Sequence, residues 1–289
     1  MSRVHEALRR AEQGGEAPAR APGRVSLPVS RVVPGLENLL SEVEEVAYNP
    51  APGTFIIDPA KPRDAHSEEF RALRTRLNHM QKLQPIHSLV ISSPSPAEGK
   101  SFTAVNLAVA EAQLAENPTL LVDFDFRRPV LHSTFQLDRS PGVIDFLMGK
   151  APLSAAIKRI AGTNLYLLPA GESVANPLEM INLAETRELI EQLPSVFNWV
   201  LLDSPPLLFA ADANLLATIC DGTILVVRVG STTVDSVTRA IQSLCENKVL
   251  GVVANGARAG ELYSKYTYYY SSYYYKGKKE KDLEPEPEE

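Results

Sequence analysis

Short apolar runs alternate with amphipathic segments along most of the chain after residue 64. Runs rich in Val, Leu and Ile predict strands that are buried on both faces of a sheet, at residues 88–92, 119–123, 165–169, 199–203, 223–227 and 250–255. Helices are predicted between them, at about 65–82, 100–116, 142–148, 176–194, 211–219 and 232–247. This alternation predicts an α/β fold, a doubly wound and mostly parallel sheet with helices on both faces.

The pattern is different at both ends of the chain. Residues 2–13 have a short helical pattern, which fits either a frayed terminus or a docking peptide. Residues 14–63 are rich in Pro, Gly and Ala and poor in apolar periodicity, as in a flexible linker. We therefore predict an N-terminal helix and linker (1–63), one folded domain (64–262) and a flexible tail (263–289).

Composition excludes several classes of function. A net charge of -6 and a pI near 5.5 argue against a general basic surface for nucleic acid. Cys220 and Cys245 lack metal-ligand spacing, so free thiols in a reducing compartment are expected. No apolar run reaches the roughly 18 residues of a membrane span, and the N-terminus lacks the apolar core of a secretion signal. We expect a cytoplasmic protein without a membrane span of its own.

A candidate phosphate-binding loop lies between the strand at 88–92 and the helix that follows it. Free backbone N–H groups at the start of that helix would surround phosphate oxygens, Lys100 would neutralise their charge, and Ser101 would bind Mg²⁺. The usual first glycine of such a loop is replaced by Pro94, which leaves an ordinary strand-to-helix turn as the alternative. The predicted nucleotide-binding residues are Ala97, Glu98, Gly99, Lys100, Ser101 and Phe102.

Three aspartates lie at the predicted carboxyl ends of strands, the edge at which open α/β sheets bind ligands. Asp123 and Asp125 are two residues apart after one strand, and Asp203 ends another. Mg²⁺ favours such oxygen ligands. The predicted cofactors are therefore ATP and Mg²⁺, with Ser101 and the three aspartates as metal ligands.

At these residues the sequence resembles the bacterial tyrosine kinases, which are P-loop ATPases. Residues 96–101 resemble the family's Walker A loop, residues 121–129 its Walker A′ segment and residues 200–206 its Walker B segment. The resemblance covers about residues 64–275 and implies catalytic roles for Lys100, Asp123 and Asp125, with one of the two aspartates activating the attacking phenol. The family usually has glycine at the position of Ala97.

The C-terminal tail holds most of the tyrosines of the chain. By resemblance it is the family's autophosphorylated cluster, and each added phosphate would contribute about -1.5 to -2 charge. The alternative is a low-complexity aromatic tail that aggregates or binds a partner. The predicted phosphorylation sites are Tyr263, Tyr266, Tyr268, Tyr269, Tyr270, Tyr273, Tyr274 and Tyr275.

Glu68, Arg71 and Arg74 lie along one side of the predicted helix at 65–82. Without the family, they indicate only an amphipathic surface helix. The resemblance implies instead a subunit-contact motif, and with it a homo-oligomeric ring in which the tail of one subunit enters the active site of the next.

The resemblance also implies partners and a cellular role. These are a membrane polysaccharide co-polymerase that recruits or activates the kinase at the inner face of the membrane, a cognate tyrosine phosphatase, and regulation of exopolysaccharide or capsule synthesis and export. Two alternatives stay open: a weakly catalytic, nucleotide-dependent scaffold, and an ATPase that partitions DNA or positions the division site.

Overall fold

The computed structural model describes residues 36, 38–58, 65–244 and 249–257. Within them lies a sheet of eight strands in the spatial order β1-β4-β5-β3-β6-β2-β7-β8. The strands are β1 (Glu44–Val46), β2 (Ser88–Ser92), β3 (Thr119–Asp123), β4 (Lys158–Ile160), β5 (Leu165–Leu168), β6 (Trp199–Asp203), β7 (Gly222–Arg228) and β8 (Val249–Asn255). Every neighbouring pair is parallel except β4 and β5.

Helices cover both faces of this sheet, as the alternating pattern predicts. They are α1 (Leu39–Glu42), α2 (Ala65–Leu83), α3 (Lys100–Ala112), α4 (Leu131–Thr134), α5 (Val143–Leu147), α6 (Leu153–Ala156), α7 (Pro177–Asn182), α8 (Ala184–Gln192), α9 (Asp212–Ile219) and α10 (Val234–Ser243). Leu107 and Trp199 lie in the apolar core on one face, and Phe124, Phe197 and Leu189 lie in the core on the other. The doubly wound α/β fold is confirmed.

All six predicted strands are present, each within one residue of its predicted ends. Their side chains are almost fully buried in β2, β3, β5 and β6, which explains why apolar runs identified them. The single helix predicted at 176–194 is wrong: it is broken at Leu183, whose backbone is extended (φ -60°, ψ 143°). The helix predicted at 100–116 ends earlier, at Ala112.

The predicted linker also needs correction where the structure describes it. Residues 38–58 belong to the fold, because Leu39 and Ile57 are buried in its two cores and β1 pairs with β4. The backbone N–H of Ile57 donates to the side-chain oxygen of Asn106 on α3 at 2.8 Å. The folded domain therefore begins before residue 64.

Other predictions lie outside the described residues. These are the helix at 2–13, most of the Pro- and Gly-rich segment before residue 36, Cys245, and the tail with its tyrosines. Cys220 is a buried free thiol, as expected. Among the helices of the described ranges, none combines the length and the apolar character that a bilayer crossing requires.

Candidate active site

The candidate phosphate loop, residues 93–99, connects β2 to α3 at the carboxyl edge of the sheet. Two of its residues have a positive φ, Ala97 at 63° and Gly99 at 101°. The φ of Gly99 favours glycine, and a Cβ atom there would lie 1.9 Å from the side-chain nitrogen of Asn255, which would have to move. The left-handed positions are thus 97 and 99, and Pro94 is not among them. The loop therefore forms although the first glycine of the pattern is missing.

Lys100 begins α3, and its ammonium group lies among acidic side chains. Its Nζ donates to Asp125 Oδ2 at 2.8 Å and to Ser101 Oγ at 3.1 Å, and it lies 3.5 Å from Asp203 Oδ1. Burial acts to lower the pKa of Lys100, but attraction by Asp203 and Asp125 outweighs it, so the pKa is raised. Lys100 is therefore held in its charged form.

The strand order brings the three predicted acidic residues together. β6 lies between β3 and β2, and Asp123 is paired in register with Asp203. Both residues are completely buried, and Asp125 is almost so. Carboxylates that are distant in sequence thus meet at the end of the phosphate loop, as predicted from the carboxyl ends of parallel strands.

Both carboxylate oxygens of Asp123 accept hydrogen bonds from backbone N–H groups. Its Oδ2 accepts from the N–H groups of Val130 and Leu131, at 2.9 and 3.0 Å, and its Oδ1 accepts from the N–H of Asp125 at 3.2 Å. Burial and the nearby Asp203 raise the pKa of Asp123 to about 8, against the lowering effect of the backbone donors. This side chain holds the turn into α4.

Asp203 has the opposite surroundings. Within the described residues neither of its buried carboxylate oxygens has a hydrogen bond of normal geometry, although the side chains of Lys100 and Ser101 lie beside them. Burial raises the pKa of Asp203, while Lys100 acts to lower it. The ammonium group of Lys100, 3.5 Å away, already offsets part of this buried charge. The two oxygens can still accept a bound metal ion, which would offset the rest.

The three aspartates do not form a metal cage by themselves. No cluster of three His, Cys, Asp or Glu side chains in the described ranges has the geometry to hold a metal ion. The reason is visible in the contacts: backbone groups occupy Asp123 and Lys100 lies against Asp125. Mg²⁺ commonly binds one or two protein ligands together with phosphates and water, and Asp203 beside Ser101 fits that type of site.

Contacts across the carboxyl edge hold the surrounding loops in place, and the sequence did not indicate them. Arg127 makes a two-pronged ion pair with the buried Asp212 at the start of α9, at 2.9 and 3.0 Å. The N–H of Leu207 donates to the carbonyl of Ser93 at 2.8 Å. These partners lie 85 or more residues apart in the chain, so local patterns could not pair them.

Two predicted nucleotide-binding residues make internal contacts. The Glu98 carboxylate accepts from the backbone N–H of Ser95 and from the hydroxyl of Thr232. The ring of Phe102 packs edge-on against Phe70 of α2, with 5.8 Å between ring centroids. Among the side chains predicted to bind nucleotide, Lys100 and Ser101 are therefore the two that meet the acidic cluster.

The predicted subunit-contact residues also have partners within this chain. Glu68 and Arg71 form an exposed ion pair at 2.6 Å. Arg74 turns inward and donates to the carbonyl of Ala110 on α3 at 2.8 Å. The described residues thus tie α2 to the helix that carries Lys100.

The chain is similar in sequence and in fold to known bacterial proteins. No protein-family model matches the chain. The tyrosine-protein kinase YwqD of Bacillus subtilis (strain 168) is 33% identical over 216 residues, which cover 74% of this chain and 90% of YwqD.

Solved structures of similar fold include a bacterial tyrosine kinase domain. The crystal structure of the chimerical protein CapA2B2 aligns with a TM-score of 0.67 at 29% identity, over 77% of this chain and 99% of the chimera. The kinase domain of the Escherichia coli tyrosine kinase ETK aligns with a TM-score of 0.66 at 29% identity, over 71% of this chain and 82% of that domain. Sequence and fold therefore lead to the same group of proteins.

Proposed function

The chain belongs to the bacterial tyrosine kinases, and on this basis we propose that it transfers the γ-phosphate of ATP to tyrosines in the tail of a neighbouring copy of itself. One observation carries the proposal. Lys100 at the end of the phosphate loop lies against Asp125 and Asp203, which come from two adjacent strand ends. A cation clamp and carboxylates at one point are what phosphoryl transfer requires.

Each group has a chemical task in this proposal. Backbone N–H groups at the start of α3 and the charged Lys100 would bind the β- and γ-phosphates. Ser101 and Asp203 would hold Mg²⁺, which neutralises phosphate charge when it is bound. Asp203 is supported in this role by its two buried oxygens, which lack hydrogen bonds of normal geometry within the described residues.

Asp125 is the better candidate for the residue that activates the acceptor. The oxygens of Asp123 already accept three backbone N–H groups. Asp125 accepts one, from Arg128 at 3.0 Å, and its other oxygen faces Lys100. In the transfer step the tyrosine oxygen forms a bond to the γ-phosphorus, the bond from that phosphorus to the bridging oxygen breaks, and ADP leaves. The phenol proton passes to the Asp125 carboxylate.

The acceptor is proposed from sequence, because the tail lies outside the described residues. Eight tyrosines lie within residues 263–275. Phosphates on them would add negative charge, which would repel the tail from a neighbour and loosen a homo-oligomer. We further propose that a membrane polysaccharide co-polymerase recruits the kinase to the inner face of the membrane and that a tyrosine phosphatase reverses the modification, so that polysaccharide export is regulated.

A mixing experiment tests the activity and its direction. A chain that ends at residue 262 keeps the site but lacks the tail, and full-length Lys100→Met keeps the tail but lacks the cation. Neither protein should become labelled alone with γ-labelled ATP and Mg²⁺, whereas the mixture should label tyrosines of the Lys100→Met chain. Lys150→Met replaces an exposed lysine outside the site and should label like the wild type. Mass spectrometry of the tail would identify the acceptors.

The outcomes distinguish the candidate functions. Wild-type protein that binds ATP but forms no phosphotyrosine, even with the cytoplasmic segment of a co-polymerase, would replace the kinase by a nucleotide-dependent scaffold. Label on the wild type but none in the mixture would show that the tail is phosphorylated within its own chain. Membership of the kinase family argues against the partition or division-site ATPase.

A further inference from the structure

Glu98 places a buried carboxylate inside the loop that is proposed to bind phosphate, and it is only 4% exposed. Its charge would repel an incoming polyphosphate, so direct binding of nucleotide by this side chain is unfavourable. Both of its oxygens are used elsewhere: Oε2 accepts from the N–H of Ser95 at 2.8 Å, and Oε1 accepts from the hydroxyl of Thr232 at 2.6 Å.

Thr232 is itself held firmly at the carboxyl end of β7. Its hydroxyl oxygen accepts from the N–H of Arg228 at 2.8 Å, and its own N–H donates to the carbonyl of Arg228 at 2.9 Å. The Arg228 guanidinium in turn donates to the carbonyl of Ala97 at 3.1 Å. The turn at residues 228–232 therefore supports two consecutive residues of the phosphate loop.

The supported stretch is the one with unusual backbone geometry. Ala97 and Gly99, on either side of Glu98, both have a positive φ. Such a conformation is unfavourable for alanine, so it persists only where surrounding contacts hold it. Hydrogen bonds to a charged acceptor are among the strong ones, and Glu98 makes two.

We propose that Glu98 is a positioning residue that, through Thr232, holds the phosphate loop in the conformation that binds nucleotide. This inference rests on the proposed nucleotide binding and adds residues to which the family resemblance gave no such role. The side chain acts on the loop backbone and does not touch the phosphates.

Fluorescent mant-ADP with Mg²⁺ measures the effect directly, without any kinase turnover. Glu98→Ala removes both hydrogen bonds and should weaken binding at least about tenfold, as expected for hydrogen bonds to a charged group. Glu98→Gln should restore affinity to within about threefold, because its amide oxygen can accept from Ser95 and its amide nitrogen can donate to the Thr232 hydroxyl. Glu185→Ala, an exposed glutamate on α8, is the control and should bind like the wild type.

Thr232 supplies the second arm of the test. Thr232→Ala should weaken binding about threefold to tenfold, and Thr232→Ser should not. The combination Glu98→Ala/Thr232→Ala should be no weaker than Glu98→Ala by more than about twofold, because the Thr232 hydroxyl acts on the loop through its hydrogen bond to Glu98. Thermal unfolding of each variant without nucleotide separates positioning from folding. A Glu98→Ala protein that unfolds at a lower temperature but binds mant-ADP like the wild type would overturn the proposal.

The same binding measurement distinguishes a failure of the proposed nucleotide site from a failure of the positioning role of Glu98. If the wild-type protein did not bind mant-ADP, the proposed nucleotide site would be wrong and this inference would fall with it. If the wild type and Glu98→Ala bound mant-ADP equally well, only the positioning role would be lost.

Discussion

Lys100 Nζ lies 2.8 Å from Asp125 Oδ2, so the end of the phosphate loop is joined directly to one of the two aspartates at the carboxyl end of β3. The other, Asp123, is bound by three backbone N–H groups of the same segment. Two acidic residues that look equivalent in the sequence are therefore different in the structure. Asp125 faces the cation of the site and accepts a single backbone N–H, from Arg128, whereas the hydrogen bonds of Asp123 all come from the backbone.

Because of this difference, we expect Asp125→Asn to affect mainly the reaction rate and Asp123→Asn to affect mainly the stability. Asp125→Asn should lower the rate of autophosphorylation by about 10² to 10⁴, because it removes the proposed general base. Asp123→Asn should lower the free energy of unfolding by about 1–3 kcal/mol, because an amide nitrogen would face a backbone donor. Urea unfolding and the initial labelling rate, measured on both variants, check the assignment. Equal stabilities with a larger rate loss in Asp123→Asn would reverse the roles.

We predict that the free energy of unfolding depends on pH through Glu111, a buried residue of α3 outside the candidate active site. Burial raises the pKa of Glu111 to about 7, although Asn78 and Asn117 donate to it and Arg74 attracts it. The folded protein thus keeps a proton that the unfolded chain loses above pH 4.5. The stabilisation is complete below that pH and is lost as the pH rises to about 7, with a slope of up to about 1.4 kcal/mol per unit.

Glu111→Gln tests this origin, because glutamine does not titrate. Between pH 5 and pH 7 its free energy of unfolding should fall by at least about 1 kcal/mol less than that of the wild type. Glu185→Gln on the exposed surface of α8 should follow the wild type. Some decrease should persist in every variant, since the pKa of Asp123, raised to about 8, acts in the same direction. Parallel curves for wild type and Glu111→Gln would contradict the prediction.

The backbone conformation of Ala97 leads us to predict that a glycine at this position stabilises the protein. Its φ of 63° costs an alanine about 1–2 kcal/mol, and glycine adopts this region freely but loses about 0.5–1 kcal/mol through the entropy of the unfolded chain. Ala97→Gly should therefore raise the free energy of unfolding by about 0.5–1 kcal/mol. Ala97→Val, with a branched side chain in the same conformation, should lower it. Urea unfolding of both variants checks the sign of each change.

Local sequence patterns predicted some parts of the fold and of the candidate site and missed others. Buried strands and strand-end aspartates could be predicted because each depends on a run of a few adjacent residues. β4 could not, since Lys158–Ile160 is a three-residue strand with two charged residues. The contact of Glu98 with Thr232 joins residues 134 positions apart, and the contact of Ile57 with Asn106 joins residues 49 apart. Such pairs arise from tertiary packing, and no local pattern indicates them.

The contacts of Arg74 and Arg71 differ, so we predict that substitutions of these two residues of the proposed subunit-contact motif differ in their effect on stability. Both arginines are partly buried, but Arg74 donates to the Ala110 carbonyl of α3, whereas Arg71 pairs with the exposed Glu68 of its own helix. Arg74→Ala should therefore lower the free energy of unfolding by about 1–2 kcal/mol, through a lost hydrogen bond and lost packing. Arg71→Ala should lower it by less than Arg74→Ala does, because the ion pair with the exposed Glu68 contributes little.

Assembly has to be measured separately from stability for these two variants. Light scattering at several protein concentrations gives the oligomer distribution, and urea unfolding gives the stability of the same samples. If α2 contacts another copy, Arg71→Ala should shift the distribution towards smaller species while it loses less stability than Arg74→Ala. Arg74→Lys keeps a charge but lacks the planar group, so it should recover only part of the stability. An Arg71→Ala protein with unchanged assembly and unchanged stability would remove Arg71 from the contact and leave α2 as a surface helix that is tied to α3 by Arg74.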